Sequence, residues 1–154
     1  MTSKKPKYLP SVGRLLGFAS ADCGKLSDRR LKEFDLTLQQ WIPLTALWRS
    51  RPLSETELAT YCRMSAPSVN RLIDRMEAKR LVRRRENSSD RRRVLVDLGP
   101  RGRKLAHLVD FFAEINAVLT AGMTAAERKQ LVSLLGRVVA NVENALEDPG
   151  HGAK

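Results

Sequence analysis

The feature that most restricts the fold is a pair of short, separately capped helices followed at once by two strands. The segment LSETELATYC begins with Ser54 as a helix N-cap and has Glu57 three residues later, which is a capping box. A second helix begins after Ser65 in SAPSVNRLIDRMEAKRL, with Pro67 in its first turn, where proline is tolerated. About three residues, Cys62 to Met64, separate the two helices. This is the spacing of a helix-turn-helix.

The two strands predict a hairpin from Leu81 to about Leu98. The turn formers ENSSD separate the runs, and Val94, Val96 and Leu98 alternate as inward-facing residues of the second strand. A helix-turn-helix followed directly by a hairpin is the winged-helix layout. Helical periodicity covers residues 11–33, 38–49, 101–121 and 124–147. We therefore expect a mainly α (α+β) fold, a winged helix-turn-helix with long N- and C-terminal helices.

Positive charge is concentrated around these elements. The chain has 154 residues and a formal net charge of +11. Between Thr60 and Lys104 there are 14 Lys or Arg against 5 Asp or Glu, so this segment carries +9 of that charge. Scattered basic residues would indicate only a solvated surface. A localised positive field instead favours a polyanion such as nucleic acid.

Two arginine triplets contribute much of this field: Arg83, Arg84 and Arg85 in the first strand, and Arg91, Arg92 and Arg93 at the start of the second. If the strands pair as a hairpin, we expect the triplets to lie side by side and to repel one another, because like charges opposite each other destabilise a strand pair. A phosphate backbone and the adjacent minor groove of DNA would relieve that repulsion. Asp90 is expected to pair with Arg92 and to orient the tip.

The second helix of the pair divides into two faces. Its apolar residues recur at i, i+3, i+4 and i+7 and are expected to face the core: Val69, Leu72, Ile73 and Met76. The opposite side carries Arg71, Asp74, Arg75 and Ala78, flanked by Ser68, Asn70 and Lys79. Arginine pairs bidentately with guanine, asparagine with adenine, and serine with either. This face predicts a recognition helix for the major groove; an ordinary solvated helix face is the alternative.

The predicted DNA-binding residues combine this helix with the hairpin. They are Ser65, Ser68, Asn70, Arg71, Arg75, Lys79, Arg83, Arg84, Arg85, Ser88, Asp90, Arg91, Arg92 and Arg93. Two rival classes stay open, a non-specific architectural DNA-binding protein and an RNA-binding winged helix. An architectural protein has a steep salt dependence with little discrimination between sites. An RNA-binding protein more often displays aromatic residues for base stacking, and this basic surface has none after Tyr61.

The segments SAPSVNRLIDRMEAKRLVRR and SSDRRRVLVDLGPRG resemble the MarR family of bacterial transcription regulators, close to its SlyA-like members. The family's wing signature is Asp, any residue and Arg before a strand, then Leu-Thr-x-x-Gly. The matching residues are Asp90, Arg91, Arg92, Leu98 and Gly102, whereas Gly99 replaces the usual Thr and leaves the next helix cap looser. The resemblance covers about residues 10–147. It implies an obligate homodimer on a pseudo-palindromic operator, usually acting as a repressor.

Apolar stripes outside the winged unit also favour a dimer. One chain offers little for them to pack against, although an intramolecular core is the alternative. We expect a flexible basic arm over residues 1–9, a helical dimerisation region over 10–35 and 101–147, a DNA-binding winged helix-turn-helix over 36–100, and a disordered tail over 148–154. Two recognition helices would then address half-sites about one DNA turn (~10 bp) apart.

The resemblance further implies a signal that releases DNA, either a small aromatic acid or an oxidant. Ligand candidates for a crevice between the dimer helices and the winged unit are Phe18, Trp41, Thr45, Trp48 and Phe111; the alternative is that they are core residues. Cys23 is the redox candidate, because oxidant-sensing relatives keep a cysteine in the first helix. Lys25 is expected to lower the pKa of its thiol. Cys62 is expected to fill the helix-turn-helix core.

Enzymatic chemistry is not predicted. The only histidines are His107 and His151, so neither a metal site nor a Ser/His/Asp set has its members, and no phosphate-binding glycine motif occurs. We therefore expect no cofactor and no metal. No stretch is apolar and long enough for a signal sequence or a membrane span, so we expect a cytoplasmic protein with no membrane association and with reduced cysteines.

Overall fold

A computed structural model describes residues 11–86 and 94–147. It divides into two compact units, one ending at Ile115 and the other beginning at Asn116. The predicted arm, the tip of the hairpin and the predicted tail lie outside the described residues. Helix α1 spans Val12–Leu31, and a 3₁₀ turn over Lys32–Phe34 continues it, so the α-helix ends slightly before the predicted end at residue 33.

Helix α2 spans Leu38–Arg49, as predicted, and begins with a capping box. Thr37 Oγ1 accepts a hydrogen bond from the Gln40 amide at 3.3 Å, and Gln40 Oε1 accepts one from the Thr37 amide at 3.2 Å. Asp28 of α1 accepts a further bond from the Leu38 amide at 2.6 Å. These acceptors satisfy N–H groups that have no partner within the first turn. Seven of the twelve residues of α2 are buried, so this helix lies in the core of the first unit.

The predicted helix-turn-helix is present as α3, Glu55–Cys62, and α4, Ala66–Ala78. Both predicted N-caps are confirmed: Ser54 forms the capping box with Glu57, and Ser65 caps α4. Arg63 has a left-handed backbone with φ of 51°, which ends α3 and turns the chain toward α4.

Three antiparallel strands form the sheet, in the order β1-β3-β2: β1 Leu53–Ser54, β2 Val82–Glu86 and β3 Val94–Leu98. The sequence prediction missed β1, because two residues give no alternation and merge into the cap of α3. The predicted inward row of β3 is half wrong. Val96 and Leu98 are buried, but Val94 pairs with Glu86 at the outer end of the hairpin and is 43% exposed.

The chain leaves β3 through a glycine junction that packs closely on the backbone of Arg80 and Leu81. The Gly99 amide donates to the Leu81 carbonyl at 2.9 Å, and the Arg101 amide donates to the Arg80 carbonyl at 3.1 Å. A Cβ at Gly99 would overlap the Arg80 oxygen, and a Cβ at Gly102 would overlap the Leu81 oxygen. Gly99 provides no side-chain cap to the next helix, as expected, and this close approach leaves no room for a larger residue.

The prediction of one continuous helix over residues 101–121 is wrong. The segment contains α5, Pro100–Lys104, a 3₁₀ helix over Ala106–Asp110, and α6, Phe111–Leu119. Two tryptophans of α2 use carbonyls of this segment. Trp48 Nε1 donates to the Gly102 oxygen at 2.9 Å, and Trp41 Nε1 donates to the Leu108 oxygen at 2.8 Å. Indoles that are wholly or partly buried need such acceptors, and the Leu108 oxygen also accepts a hydrogen bond from the Phe111 amide at the end of the 3₁₀ helix.

The core of the first unit is mainly aliphatic. Its side chains come from α2 and from the helices and strands that pack around α2. Its largest fully buried side chains are Leu31, Leu44, Leu47, Leu58, Leu72, Ile73, Met76, Leu81, Leu98, Ile115, Val69 and Val96. Each such side chain contributes roughly 1.5–3 kcal/mol when it leaves water. The winged part of the chain is therefore anchored by its own packing.

The second unit contains α7, Ala125–Glu147. Its predicted capping box is present, because Glu127 Oε2 accepts from the Thr124 amide at 2.7 Å and Thr124 Oγ1 accepts from the Glu127 amide at 3.3 Å. The Thr124 hydrogen bonds, that from the backbone first, hold the pKa of Glu127 below its usual range. None of the 23 residues of α7 is buried in the described chain, although it carries a long aliphatic stripe.

Candidate nucleic-acid interface

Helix α4 has the two faces that its sequence predicts. Its four apolar residues, Val69, Leu72, Ile73 and Met76, are at most 1% exposed. Arg71, Asp74 and Arg75 are exposed on the other side. Because the apolar face is fixed in the core, the orientation of the polar face is also fixed.

The first turn of α4 is organised by Ser65. Its Oγ accepts a hydrogen bond from the Ser68 amide at 3.4 Å and donates one to Ser68 Oγ at 2.9 Å. Ser68 is exposed at the start of the helix. Asn70 is half-buried, and its Oδ1 has no hydrogen-bond partner among the described residues. Its amide oxygen is therefore less accessible than the sequence prediction requires.

Arg71 and Arg75 lie one helical turn apart on the exposed face. Within the described ranges, neither guanidinium forms a hydrogen bond or an ion pair. Two unpaired guanidinium groups at i and i+4 project from the same side of a rigid helix. Such groups suit bidentate hydrogen bonds to a base edge or a phosphate.

The strand register corrects the expectation that the two arginine triplets repel each other across the hairpin. Arg83 pairs with Asp97, Arg84 with Val96 and Arg85 with Leu95. Asp97 is buried, and its Oδ2 lies 3.6 Å from Arg83 Nη2 and 3.8 Å from Arg103 Nη2. The first triplet is therefore opposite a carboxylate and two apolar residues.

Arg84 points to the opposite face of the strand from Arg83 and Arg85, and it is paired within the protein. Its side chain is 27% exposed and forms ion pairs with Glu55 at 2.8 Å, Asp74 at 2.7 Å and Glu77 at 3.0 Å. Arg83 and Arg85 are exposed, because adjacent side chains of a strand point to opposite faces. This alternation is visible in the sequence as Val82 in, Arg83 out and Arg84 in, and it was the signal that the sequence prediction missed.

Lys79, at the C-terminal end of α4, is also paired inside the protein. Its Nζ donates to Asp35 Oδ1 at 2.9 Å and to the Asp35 carbonyl at 3.0 Å. Arg101 lies 3.0 Å from the other carboxylate oxygen of Asp35. The hydrogen bonds from Lys79 and Arg101 hold the pKa of Asp35 below its usual range. Lys79 thus joins α4 to the turn that follows α1.

Five predicted DNA-binding residues belong to the segment between β2 and β3. Ser88, Asp90, Arg91, Arg92 and Arg93 lie outside the described residues. Their roles remain predictions from the sequence.

The structure does not bring the five candidate ligand residues together. Trp41 and Phe111 contact each other edge to face, with ring centroids 5.6 Å apart, and both are buried. Thr45 is buried and lies 3.1 Å from the Tyr61 hydroxyl, whereas Trp48 is half-buried and bonded to Gly102. Phe18 is exposed, with the Arg14 guanidinium 5.2 Å from its ring centre.

A cavity of about 360 Å³ in the first unit includes only one of those five residues. It is lined by Arg30, Glu33, Phe34, His107, Leu108, Asp110, Phe111 and Glu114. Phe34 and His107 contact each other edge to face at 5.8 Å, and Arg30 pairs with Glu114 at 3.2 Å. No sequence pattern predicts this cavity, because its walls come from the end of α1, the turn after it and the interrupted 101–121 segment.

Both cysteines are free and half-buried. Lys25, which was predicted to act on Cys23, forms an ion pair with Asp22 instead, with Nζ 2.9 Å from the carboxylate. Burial raises the pKa of the Cys62 thiol, as suits a cysteine packed beside the core.

Residues 34–93 match the MarR family. The structure also resembles that of the transcriptional regulator PA3341, which is 30% identical over 87% of this chain and 99% of its own, with a TM-score of 0.74. The chain belongs to the MarR family. A cysteine-to-serine mutant of MarR from E. coli, complexed with operator DNA, is 26% identical over 82% of this chain and 92% of its own, with a TM-score of 0.76. The MepR–DNA complex of S. aureus, 24% identical over 86% and 99% of the two chains, shares the fold with a TM-score of 0.80.

This MarR-family chain has the fold of a DNA-binding transcription regulator, and the winged helix-turn-helix prediction is confirmed. Members of the family are regulators rather than enzymes. No helix in the described ranges is long and apolar enough to cross a membrane. The described residues also hold no cluster of three or more His, Cys, Asp or Glu side chains placed to bind a metal ion.

Proposed function

We propose that this protein is a sequence-specific regulator that binds double-stranded DNA as a homodimer, with α4 in the major groove. The observation that carries the proposal is the pair Arg71 and Arg75, exposed and unpaired within the described ranges on a helix whose other face is fully buried. Rigid presentation of unpaired guanidinium groups lowers the entropic cost of base recognition. Ser68, which is exposed at the start of the helix, lies beside them for a shorter-range contact.

The wing is proposed to contact the backbone and the minor groove. Arg83 and Arg85 are exposed on β2, and the sequence continues from Glu86 into the segment that holds Ser88, Asp90 and the second arginine triplet. Arginine reads groove width there rather than base identity. An Arg92→Ala substitution is therefore expected to weaken binding to all DNA sequences to a similar extent.

Exposed apolar residues support the homodimer. Val12, Leu15 and Phe18 of α1 are more than half exposed. In the second unit, α7 exposes Leu134, Leu135, Val139, Val142 and Leu146 at helical spacing. A second copy of the chain is proposed to cover these surfaces, with residues 10–35 and 101–147 as the dimerisation region and 36–100 as the DNA-binding region. The operator is then pseudo-palindromic, with half-sites about one turn (~10 bp) apart.

We further infer that the dimer is a repressor and that a small aromatic ligand releases it from DNA. The scattered positions of the predicted ligand residues favour the cavity around Phe34 and Phe111 over the crevice first expected. A thiol switch at Cys23 has no supporting contact in the described residues beyond its partial exposure.

The test is selection of bound duplexes from a random DNA pool at ~0.15 M salt, followed by sequencing. An enriched inverted repeat with half-sites ~10 bp apart supports a sequence-specific dimer. Binding without enrichment would indicate an architectural protein. Preference for single-stranded or structured RNA in a competition assay would indicate the RNA-binding alternative.

A further inference from the structure

One arginine of the wing is held by three carboxylates from two helices. Arg84 Nε lies 2.8 Å from Glu55 Oε1, and its Nη1 lies 2.7 Å from Asp74 Oδ1 and 3.0 Å from Glu77 Oε2. The Arg84 amide also donates to Glu77 Oε1 at 2.8 Å. Together these bonds fasten β2 to the first residue of α3 and to the C-terminal half of α4.

The geometry depends on a guanidinium. Its donors lie in one plane with fixed directions, so a single group can reach several carboxylates at once. A lysine at this position has one compact ammonium and cannot reproduce the arrangement. Although burial lowers the pKa of Arg84, the hydrogen bonds that its guanidinium donates to the carboxylates raise it above the ordinary arginine value, so the side chain stays charged.

The charge of the cluster argues against a DNA contact by Arg84. Three carboxylates face one guanidinium, so the cluster carries a formal charge of −2. To reach a phosphate, Arg84 would have to leave these partners unpaired close to a polyanion. Arg85 has no such obstacle, because its side chain is exposed, and the exposed Arg83 faces only one carboxylate, that of Asp97 at 3.6 Å.

We propose that Arg84 is a positioning residue that fixes the wing relative to the recognition helix, rather than a ligand of DNA. The inference rests on the proposed function. It assigns the two exposed arginines of β2 a fixed offset from Arg71 and Arg75 of α4. The offset matters because helix and wing must fit the same duplex at the same time, and a misplaced wing loses discrimination between operator and other DNA.

The decisive variant leaves Arg84 intact and removes two of its partners, as Glu55→Ala/Glu77→Ala. A matched control, Asp22→Ala/Glu147→Ala, makes the same charge change on exposed carboxylates elsewhere. Simple electrostatics predicts that both variants bind all DNA more tightly. If Arg84 positions the wing, the ratio of operator affinity to scrambled-DNA affinity falls roughly tenfold in the first variant only.

Three further variants separate positioning from contact. Arg84→Met and Arg84→Lys should both lose the same discrimination, and Arg84→Met combined with Glu55→Ala/Glu77→Ala should be no worse than Arg84→Met alone, because the residues act as one unit. Loss of a phosphate contact would instead lower the slope of log affinity against log salt by about 0.9 in that combined variant relative to Glu55→Ala/Glu77→Ala. That result, or full rescue by Arg84→Lys, would overturn the proposal.

Failure of this inference is distinguishable from failure of the proposed function. If the wild-type chain enriches no operator, the regulator proposal is wrong. If it enriches one and the Glu55→Ala/Glu77→Ala variant discriminates as well as its control, only the role of Arg84 is wrong. Thermal unfolding of each variant verifies that it is folded, and the glutamate pair keeps the test valid if Arg84→Met does not fold.

Discussion

Helices α4 and α7 both carry a regular apolar stripe, yet they bury it to opposite extents. The four apolar residues of α4 are at most 1% exposed, whereas Leu135 and Val142 of α7 are 39% and 53% exposed. The 3.6-residue period is the same in both helices, so periodicity alone does not tell which partner covers the stripe. The orientation of α4 is set by contacts within its own chain, whereas the described residues bury no part of α7, and we propose that a second copy covers its stripe.

This difference is suited to a regulator that works as a dimer. A recognition surface must be rigid before DNA arrives, and α4 obtains that rigidity from the core, from the Arg84 cluster and from the Lys79–Asp35 pair. A dimerisation surface must remain apolar and exposed in the single chain. Packing within the chain makes α4 rigid. The stripe of α7 stays exposed in the single chain, and we propose that a second copy covers it.

The largest effect is expected from a change in the buried face of α4. Ile73→Ala removes a side chain that is 1% exposed and should lower the free energy of unfolding by about 2–5 kcal/mol, from lost burial and the cavity left behind. Chemical denaturation monitored by circular dichroism measures this value. Arg71→Ala, on the exposed face of the same helix, is the matched control and should change it by less than about 0.5 kcal/mol. An Ile73→Ala cost below that of the control would show that α4 is not anchored by its own core.

The exposed stripe of α7 is tested by charge. Leu135→Lys/Val142→Lys places two ammonium groups in the proposed dimer interface, and it should convert the dimer to a monomer in sedimentation experiments. Operator affinity should fall on the order of 100-fold, because two linked recognition helices bind more tightly than one. Ser133→Lys/Ala140→Lys, on the opposite side of the helix, is the control and should remain dimeric. A dimeric Leu135→Lys/Val142→Lys variant would place the interface elsewhere.

The same contrast explains which parts of the fold followed from the sequence. The bounds of α2 and the caps at Ser54, Ser65 and Thr124 were predictable, because local side-chain hydrogen bonds determine where a helix begins. The faces of α4 were predictable from the spacing of its apolar residues. These features depend on residues that are near one another in the chain.

Features that depend on distant residues were not predictable. The segment over residues 101–121 is not one helix, and indoles from α2 donate hydrogen bonds to its carbonyls. The two-residue strand β1 forms by pairing with β3. At the candidate site, Arg84 and Lys79 resembled DNA ligands because their carboxylate partners lie far away or on another element. Arg71 and Arg75 matched the expectation of exposure, since helix geometry alone directs them outward.

Base recognition by α4 gives the next smaller effect. Arg71→Ala should weaken operator binding by about 1–3 kcal/mol and relax preference at one base pair in each half-site, because a bidentate contact to a base is lost. Fluorescence anisotropy with operator variants measures both quantities. Arg137→Ala removes the same charge from α7 and should weaken binding to every sequence equally and slightly. An unchanged base preference in Arg71→Ala would show that Arg71 does not contact a base.

The smallest effect concerns the ion pair that joins α4 to the turn after α1. Lys79 and Arg101 hold the pKa of Asp35 below its usual value of 3.8, so the folded state binds this proton less readily than the unfolded chain. A depressed carboxylate pKa gives stability that is complete above the unfolded pKa and is lost as pH falls through the folded pKa. Asp35→Asn should therefore be less stable than wild type at pH 7 and equally stable well below pH 3.8.

The measurement is the difference in unfolding free energy between wild type and Asp35→Asn across that pH range. Asp110→Asn, on an exposed residue without an ion pair in the described ranges, should show no such convergence. Because the Asp35 side chain is 69% exposed, salt should weaken the difference, and at 1 M ionic strength it should largely vanish, since screening there acts over about 3 Å. A difference that persisted unchanged in high salt would mean that Asp35 supports α4 through the hydrogen bonds that its carboxylate accepts from Lys79 and Arg101, rather than through net charge. The C-terminal end of α4 would then be held by directed hydrogen bonds, and its apolar face by packing in the core. The described residues provide neither kind of support to the stripe of α7.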